Sequence, residues 1–478
     1  MALSTCTSNY ILGIDLGTTS VKVVLLDSLS RTVTESYCLP TRADKESNVT
    51  NAKEQDPERI INTLNQCVAS LPGEKLQKVV GIGVSGQMHG VVFWRAKTGC
   101  EWFGTNNVRM FKPKDTSQLI IWQDSRCSSD FLSSLPQPNS HLTLATGFGC
   151  ATIFWLLKHK PGFLTEFNVA GTIHDYVVSM LCASKDCSIS AQNAASWGYF
   201  NTVTHQWNLD INLCTSFSLR EAGFPVHLLP EPVESGAFAG HTCSEWHGIP
   251  ANTPVGVALG DLQCSVYSTM TNKTDAVLNI STSAQLTFAM PAGFAPDCVP
   301  DALSPIAYFP YFSGSYLAVA ASLNGGNVMA TFVGMLTSWI KDLGVEISET
   351  SIYPQLIQAA QDQLDTDLRV TPTVLGERHA ATSLGQVSNI SPWNLSLGHV
   401  TRALCRGILD NLVSMMPSHT LREAGVERIV ASGSALTRNE VIRQEVEKAF
   451  PLPVVYGKDV DSAVGVAMVC SDYLSRKR

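Results

Sequence analysis

The stretch Asp15-Leu16-Gly17-Thr18-Thr19-Ser20, with Lys22 just beyond it, has the residue types needed to hold an anion. It falls between two apolar runs, Tyr10–Leu16 and Val21–Leu26, and so reads as the turn of a hairpin. Such a turn aims consecutive backbone N–H groups and threonine hydroxyls at one phosphate, and Gly17 lets that phosphate approach the main chain. Asp15, at the end of the incoming strand, is placed to hold a Mg2+ directly or through water, and Lys22 to add positive charge. The same residues also suit an ordinary hairpin with an exposed acid and lysine. A second stretch, Gly81-Ile82-Gly83-Val84-Ser85-Gly86, fits GxGxxG and has Glu101 downstream. That fingerprint works through a helix N-terminus after the third glycine, which holds a pyrophosphate. Here Gln87-Met88-His89-Gly90 leads instead into the strand-like Val91-Val92-Phe93-Trp94. A glycine-rich β-turn is therefore expected, and a nicotinamide dehydrogenase is not.

Strands and helices must alternate to carry these turns. Ala276–Ile280, Ser281-Thr282-Ser283 and Ala284–Met290 repeat the pattern of strand, hydroxyl-rich turn and strand. Each half of the chain thus opens with a similar hairpin. Between them Phe224–Pro254 is rich in proline, glycine and polar residues, which predicts two domains, 1–252 and 253–478. Asp56-Pro57 predicts a helix start, and Ile60, Leu64, Cys67, Val68 and Leu71 form its apolar face. Val400, Leu404, Ile408 and Leu412 predict another helix, in which Ala403 and Gly407 allow close approach to a neighbour. Val426–Ala431 reads as a strand meeting the turn Ser432-Gly433-Ser434. Thr437-Arg438-Asn439-Glu440 then reads as a capping box opening a further helix. The fold class is α/β, with two large domains.

A chain of 478 residues, 45% hydrophobic and 15% charged, has the makings of substantial buried cores. Its net charge of −8 has the wrong sign for a nucleic-acid or anionic-membrane surface. No apolar run is long enough to span a bilayer, and the first residues lack a basic region followed by an apolar one, so a cytosolic protein is expected. The 14 cysteines are scattered without a CxxC pair, which points to reduced structural thiols.

Several further segments sharpen the reading. GIDLGTTSVKVVLLD at 13–27, GQMHGVVFW at 86–94, IWQDSR at 121–126, HDYV at 174–177, ALGDLQCS at 258–265 and NISTSAQL at 279–286 occur in that order. SLNGGN at 322–327, TRALCRGIL at 401–409, VASGSALTRN at 430–439 and DSAVGVAM at 461–468 follow. Together they resemble the FGGY family of carbohydrate kinases, within the actin, hexokinase and Hsp70 ATPase superfamily. The resemblance implies two ribonuclease-H-like domains around an interdomain cleft, with ATP and Mg2+ as cofactors, a small-molecule ketose as substrate and no obligate protein partner. QMHG and QNAASWGYFNT at 192–202 resemble members that phosphorylate a seven-carbon ketose at its terminal hydroxyl. Members acting on five-carbon ketoses share the Met-His pair and are the alternative. Glycerol-phosphorylating members have Arg-Glu there. A nucleotide switch of the Hsp70 or actin kind is the alternative of a different class, although no peptide-binding module or polymer contact is evident.

The resemblance also assigns roles. Asp261 becomes the catalytic base and touches the sugar hydroxyl, although it also suits a turn aspartate capping a helix. Thr18 and Thr19 meet the β- or γ-phosphate, Asp15 the metal, and Lys22 the phosphate edge. Thr282 is the opposing clamp, preceded by Ser281 where the family usually has glycine. Gly325, Gly326, Gly433 and Asn439 fall at nucleotide-site positions, Gly433 making room for adenine. Met88 and His89 become the substrate pair, the imidazole bonding a hydroxyl and the thioether covering an apolar face. Trp122, Asp124 and Arg126 shape the sugar side, with a local Asp124–Arg126 ion pair as the other reading. Asp175 and Asn193 are weaker substrate candidates.

Overall fold

Two mixed sheets built to one plan dominate the computed structural model, which describes residues 8–105, 109–209, 218–297, 300, 301, 303–380, 382–457 and 460–476. In the first sheet Tyr10–Leu16 and Ser20–Asp27 form the expected antiparallel hairpin, and Val33–Pro40 extends it. Val79–Gly86 and then Pro254–Gly256 run parallel on the other side of Tyr10–Leu16. In the second sheet Asp275–Ile280 and Ala284–Ala289 form the hairpin, and Tyr316–Ser322 extends it. Arg428–Ser432 and Val454–Tyr456 again run parallel on the far side. Apart from edge strands, both sheets have the spatial order 3-2-1-4-5, counted within each repeat. The α/β expectation of two like domains is met. The first sheet nevertheless continues past 252, because Pro254–Gly256 and Leu259–Gly260 both pair with Val79–Gly86.

Burial explains the elements. The helix Pro57–Ala69 starts where Asp56 accepts from the Glu58 amide at 3.0 Å, and it buries Ile60, Leu64, Cys67 and Val68 against the first sheet. The other face of that sheet is covered by the C-terminal helix Ser462–Arg476. This corrects the reading of Gly81–Gly86 as a turn: those residues are strand interior. A Cβ at Gly83 would lie 2.6 Å from the Val466 carbonyl oxygen, and one at Gly13 2.1 Å from that of Ala463. Glycine is needed so that helix backbone can rest on strand backbone. The capping box is also corrected. Thr437 lies in the short helix Ser434–Arg438, and Asn439 caps Glu440–Ala449, accepting from the Val441 and Ile442 amides at 3.0 and 3.1 Å.

The helices Asp261–Thr269 and Ser462–Arg476 follow the last strand of the first and second sheet, respectively, and pack on each other where the lobes join. Their backbones touch: a Cβ at Gly465 would sit 1.8 Å from the Cys264 carbonyl oxygen. Alanine would favour the helix by up to about 1 kcal/mol, but a side chain against backbone outweighs that gain. Gly465→Val is expected to destabilise the protein by about 1–3 kcal/mol or more. An unchanged denaturation midpoint would contradict this packing. Among the described residues no helix is long and apolar enough to cross a membrane, and every cysteine is a free thiol.

Candidate active site

The carboxyl ends of three neighbouring strands converge on one place. Leu259 is in register with Ser85, and Ser85 with Asp15; Gly260 pairs with Gly86, and Gly86 with Leu16. Asp261, the first residue of its helix, therefore emerges beside the turn that follows Asp15. Open α/β sheets bind ligands in just such a crevice. Asp261 is half-buried, accepts from the Leu262 amide at 2.8 Å, and has its backbone carbonyl held by Ser462 Oγ at 3.1 Å. The helix N-cap is Gly260, so the Asp261 side chain is not the cap. Burial pushes its carboxyl up to about 6 despite the Leu262 hydrogen bond.

Asp15 accepts from Ser85 Oγ at 3.1 Å. Its carboxyl is pushed up to about 7, first by burial and then by the Asp261 charge; the Ser85 hydrogen bond opposes this, Asp461 adds to it, and Lys22 opposes it. Lys22 does not point freely to a phosphate edge, because its ammonium pairs with Asp461 at 2.5 Å. Sequence reasoning assigned Asp461 no role, although it opens the DSAVGVAM segment. Asp261 and Asp461 both repel the Asp15 charge beside a single lysine, a place where a divalent cation relieves repulsion. Among the described residues no group of three His, Cys, Asp or Glu would hold a metal unaided. The site thus suits Mg2+, which takes one or two carboxylates and completes its shell with water and substrate phosphates.

The two hydroxyl-rich turns differ in detail. Thr18 Oγ1 accepts from Trp122 Nε1 at 3.0 Å and donates to Gln87 Oε1 at 3.4 Å, while Gln55 Nε2 donates to the Thr18 carbonyl at 2.8 Å. Thr18 therefore ties the first turn to the cleft wall, and Thr19 is the exposed hydroxyl at the turn. In the second turn Thr282 is exposed. Ser281, standing where glycine is usual, accepts from the Ser434 amide at 3.3 Å and so links this turn to the Gly433 loop. The Gly326 amide donates to the Ser281 carbonyl at 2.7 Å, and a Cβ at Gly325 would lie 2.4 Å from the Ser283 carbonyl carbon. These two glycines brace the turn. Gly433 has φ +117°, and a Cβ there would come within 2.3 Å of the Ile280 carbonyl oxygen. Asn439 is a correction: its side chain is wholly buried as a helix cap and presents nothing to a nucleotide.

The other wall carries Met88 and His89. A Cβ on Gly260 would lie 2.6 Å from the Met88 sulfur, so the thioether abuts the strand end that delivers Asp261. The His89 ring stacks on Phe148 with centroids 4.5 Å apart, and its Nδ1 lies 2.8 Å from the Ser196 carbonyl oxygen. Nδ1 must carry the proton to donate there, which leaves Nε2 an acceptor. Burial pushes the imidazole down to about 4 against that hydrogen bond, and the Arg378 charge lowers it further. Trp122 is half exposed along the same wall. Asp124 is another correction, because its fully buried carboxylate accepts from the Lys53 amide and from Arg126 Nε and Nη2, each at 2.8 Å. The ion pair of the alternative reading is present, and it fixes the loop that carries Trp122. Asp175 forms a capping box with Thr172, and Asn193 donates to the Ala258 carbonyl at 3.1 Å. Both are wholly buried, and the Asn193 Oδ1 atom has no hydrogen-bond partner among the described residues.

Residues 10–268 match the model of the N-terminal domain of the FGGY family of carbohydrate kinases. Sedoheptulokinase of Homo sapiens is 58% identical over 467 residues, covering 96% of both chains. Sedoheptulokinase of Mus musculus is 57% identical over 465 residues, again 96% of both. Among solved structures, xylulose kinase from Rhodospirillum rubrum superposes with a TM-score of 0.77 at 19% identity, over 97% of this chain and 89% of that one. At that identity the likeness concerns the fold.

Proposed function

The chain belongs to the FGGY family of carbohydrate kinases, and from that premise we propose that it phosphorylates the terminal hydroxyl of sedoheptulose, with Asp261 as the base. It is an ATP-dependent carbohydrate kinase. The observation that carries the site assignment is the Asp261 carboxylate, held half-buried at a strand end between Asp15 and Met88, with its acidity shifted to about 6. A base of that strength is largely deprotonated at neutral pH yet still takes a proton from an alcohol as the transfer proceeds.

Phosphoryl transfer demands alignment and charge neutralisation more than covalent help. Thr19 and Thr282, exposed at their turns, offer hydroxyls to the triphosphate, and Thr18 orients the first turn through Trp122 and Gln87. Asp15 is the metal-side carboxylate; Mg2+ bound with the nucleotide neutralises phosphate charge there. Neutral His89 accepts a sugar hydroxyl through Nε2, while Met88 and Trp122 cover apolar faces of the sugar. Lys22, held by its ion pair with Asp461, sets its positive charge beside Asp15 on the metal side. The cytosol is the proposed compartment, consistent with free thiols throughout the described chain.

Purified protein should release ADP in proportion to added sedoheptulose, and a panel of ketoses of increasing length tests the substrate. Release with pentuloses alone would replace the seven-carbon reading by the five-carbon one. A pH prediction follows from the direction of the Asp261 shift. The base works only when deprotonated, so kcat at saturating Mg–ATP should fall with a slope of about one as pH drops through about 6. A flat profile down to pH 5 would contradict this role. Asp15 and Asp261 interact, so apparent values belong to the pair.

A further inference from the structure

Two groups of the site, Asp261 and His89, are tied to one short helix, Ala191–Trp197, every residue of which is buried. Gln192 and Asn193, adjacent on it, grip the strand end that delivers the base. Asn193 Nδ2 donates to the Ala258 carbonyl at 3.1 Å, and Gln192 Oε1 accepts from the Gly260 amide at 3.2 Å. The next residue is Asp261. Gln192 also reaches the second lobe, where its Nε2 donates to the Tyr311 carbonyl at 3.5 Å, just past the edge strand Ile306–Pro310.

The other end of the helix grips His89. Ser196 Oγ accepts from the His89 amide at 3.2 Å and donates to the Asn193 carbonyl at 2.7 Å, while the Ser196 carbonyl receives His89 Nδ1 at 2.8 Å. Trp197 Nε1 donates to the Gly90 carbonyl at 3.2 Å. These bonds hold His89 at φ +72°, a left-handed conformation that costs energy in any residue with a side chain. The helix is itself backed by the start of Gly149–His159, since a Cβ at Gly149 would lie 2.4 Å from the Trp197 ring.

We propose that this helix is the positioning element of the sugar site: Gln192 directs the Asp261 carboxylate through the Gly260 amide, and Ser196 holds the His89 ring where its Nε2 meets the sugar. The inference rests on the proposed function, which gives Asp261 and His89 their parts. Neither Gln192 nor Ser196 touches substrate. Their kinetic consequences differ because the groups they hold differ. A misplaced base slows the transfer step and leaves ground-state binding alone. A displaced His89 loses a sugar hydrogen bond made in ground state and transition state alike, which raises KM.

Gln192→Met keeps the size of the side chain and removes its hydrogen bonds. At pH 8, where Asp261 is ionised, it is expected to lower kcat about tenfold or more. KM for sedoheptulose and for ATP should change less than about threefold. Gln192→Asn draws the amide back by one carbon and should give the same kind of loss, so the outcome does not hang on the folding of one variant. Ser196→Ala is expected to do the reverse, raising KM for sedoheptulose about fivefold with kcat changed less than about threefold. Loss of the same parameter at both positions would overturn the inference and leave the kinase reading intact. So would unmoved kinetics at either position, or losses that merely follow the fraction of unfolded protein. A wild-type protein inactive on sedoheptulose, or Asp261→Asn with near-normal turnover, would instead overturn the proposed function on which the inference stands.

Discussion

Asp261→Asn is expected to lower kcat at least about a hundredfold, with KM for ATP little changed. A positioned general base contributes roughly 10² to 10⁴ in rate, and a hundredfold loss corresponds to about 2.7 kcal/mol of transition-state stabilisation. Asparagine keeps an oxygen for the Leu262 amide and leaves the helix start undisturbed, so only the capacity to take a proton is lost. The same substitution should not weaken the fold. The carboxyl of Asp261 is raised by burial to about 6, so the folded protein holds that proton more tightly than the unfolded chain does. The stability belonging to the protonated form is fully present below the unfolded pKa and is lost as pH rises through 6. Above that pH a neutral asparagine removes a buried charge. The variant's thermal midpoint at pH 8 should equal or exceed that of wild type, and the difference should shrink towards pH 4. Near-normal turnover would refute the base assignment, and collapse of the fold at pH 8 would contradict the electrostatic account.

Asp15→Asn is expected to produce the second large loss, also on the order of a hundredfold in kcat, by weakening the hold on Mg2+ and misaligning the phosphates; displaced catalytic groups of this kind cost about that much. Its signature is protonic. Asp15 titrates near 7 in the free protein because burial and the Asp261 charge oppose its ionisation. A metal–nucleotide complex requires the ionised carboxylate, so binding near pH 7 should release protons from this group. Titration calorimetry of Mg–ATP in two buffers of different ionisation enthalpy measures that release. Wild type should show it and Asp15→Asn should not. Equal release from both proteins would remove Asp15 from the metal site.

The features legible in the sequence were those written in local pattern. Apolar runs around Gly17-Thr18-Thr19 and Ser281-Thr282-Ser283 announced both hairpins, because strand period and turn chemistry lie within a few residues of each other. Asp56 before Pro57 announced a helix start for the same reason. What was misread depended on distant partners. Gly81 and Gly83 look like turn residues until the C-terminal helix, hundreds of positions later, is laid on them. Asp124 looked available for a sugar because the Lys53 amide that helps satisfy it is remote in sequence. Asn439 sits at a nucleotide-site position, yet its side chain is consumed two and three residues on by helix amides. The capping-box pattern at Thr437 was local but out of register with the cap that forms. Asp461 opens a quoted segment, yet its role went unassigned because its partner, Lys22, lies near the other end of the chain.

The account turns on where one alcohol meets one carboxylate. A crystal structure of the protein with a non-hydrolysable ATP analogue, Mg2+ and sedoheptulose measures that directly. The terminal hydroxyl oxygen should lie about 2.6–3.2 Å from an Asp261 carboxylate oxygen and in line with the terminal phosphorus. A sugar that presents a different hydroxyl to Asp261, or binds with that carboxylate turned away from it, would contradict the account.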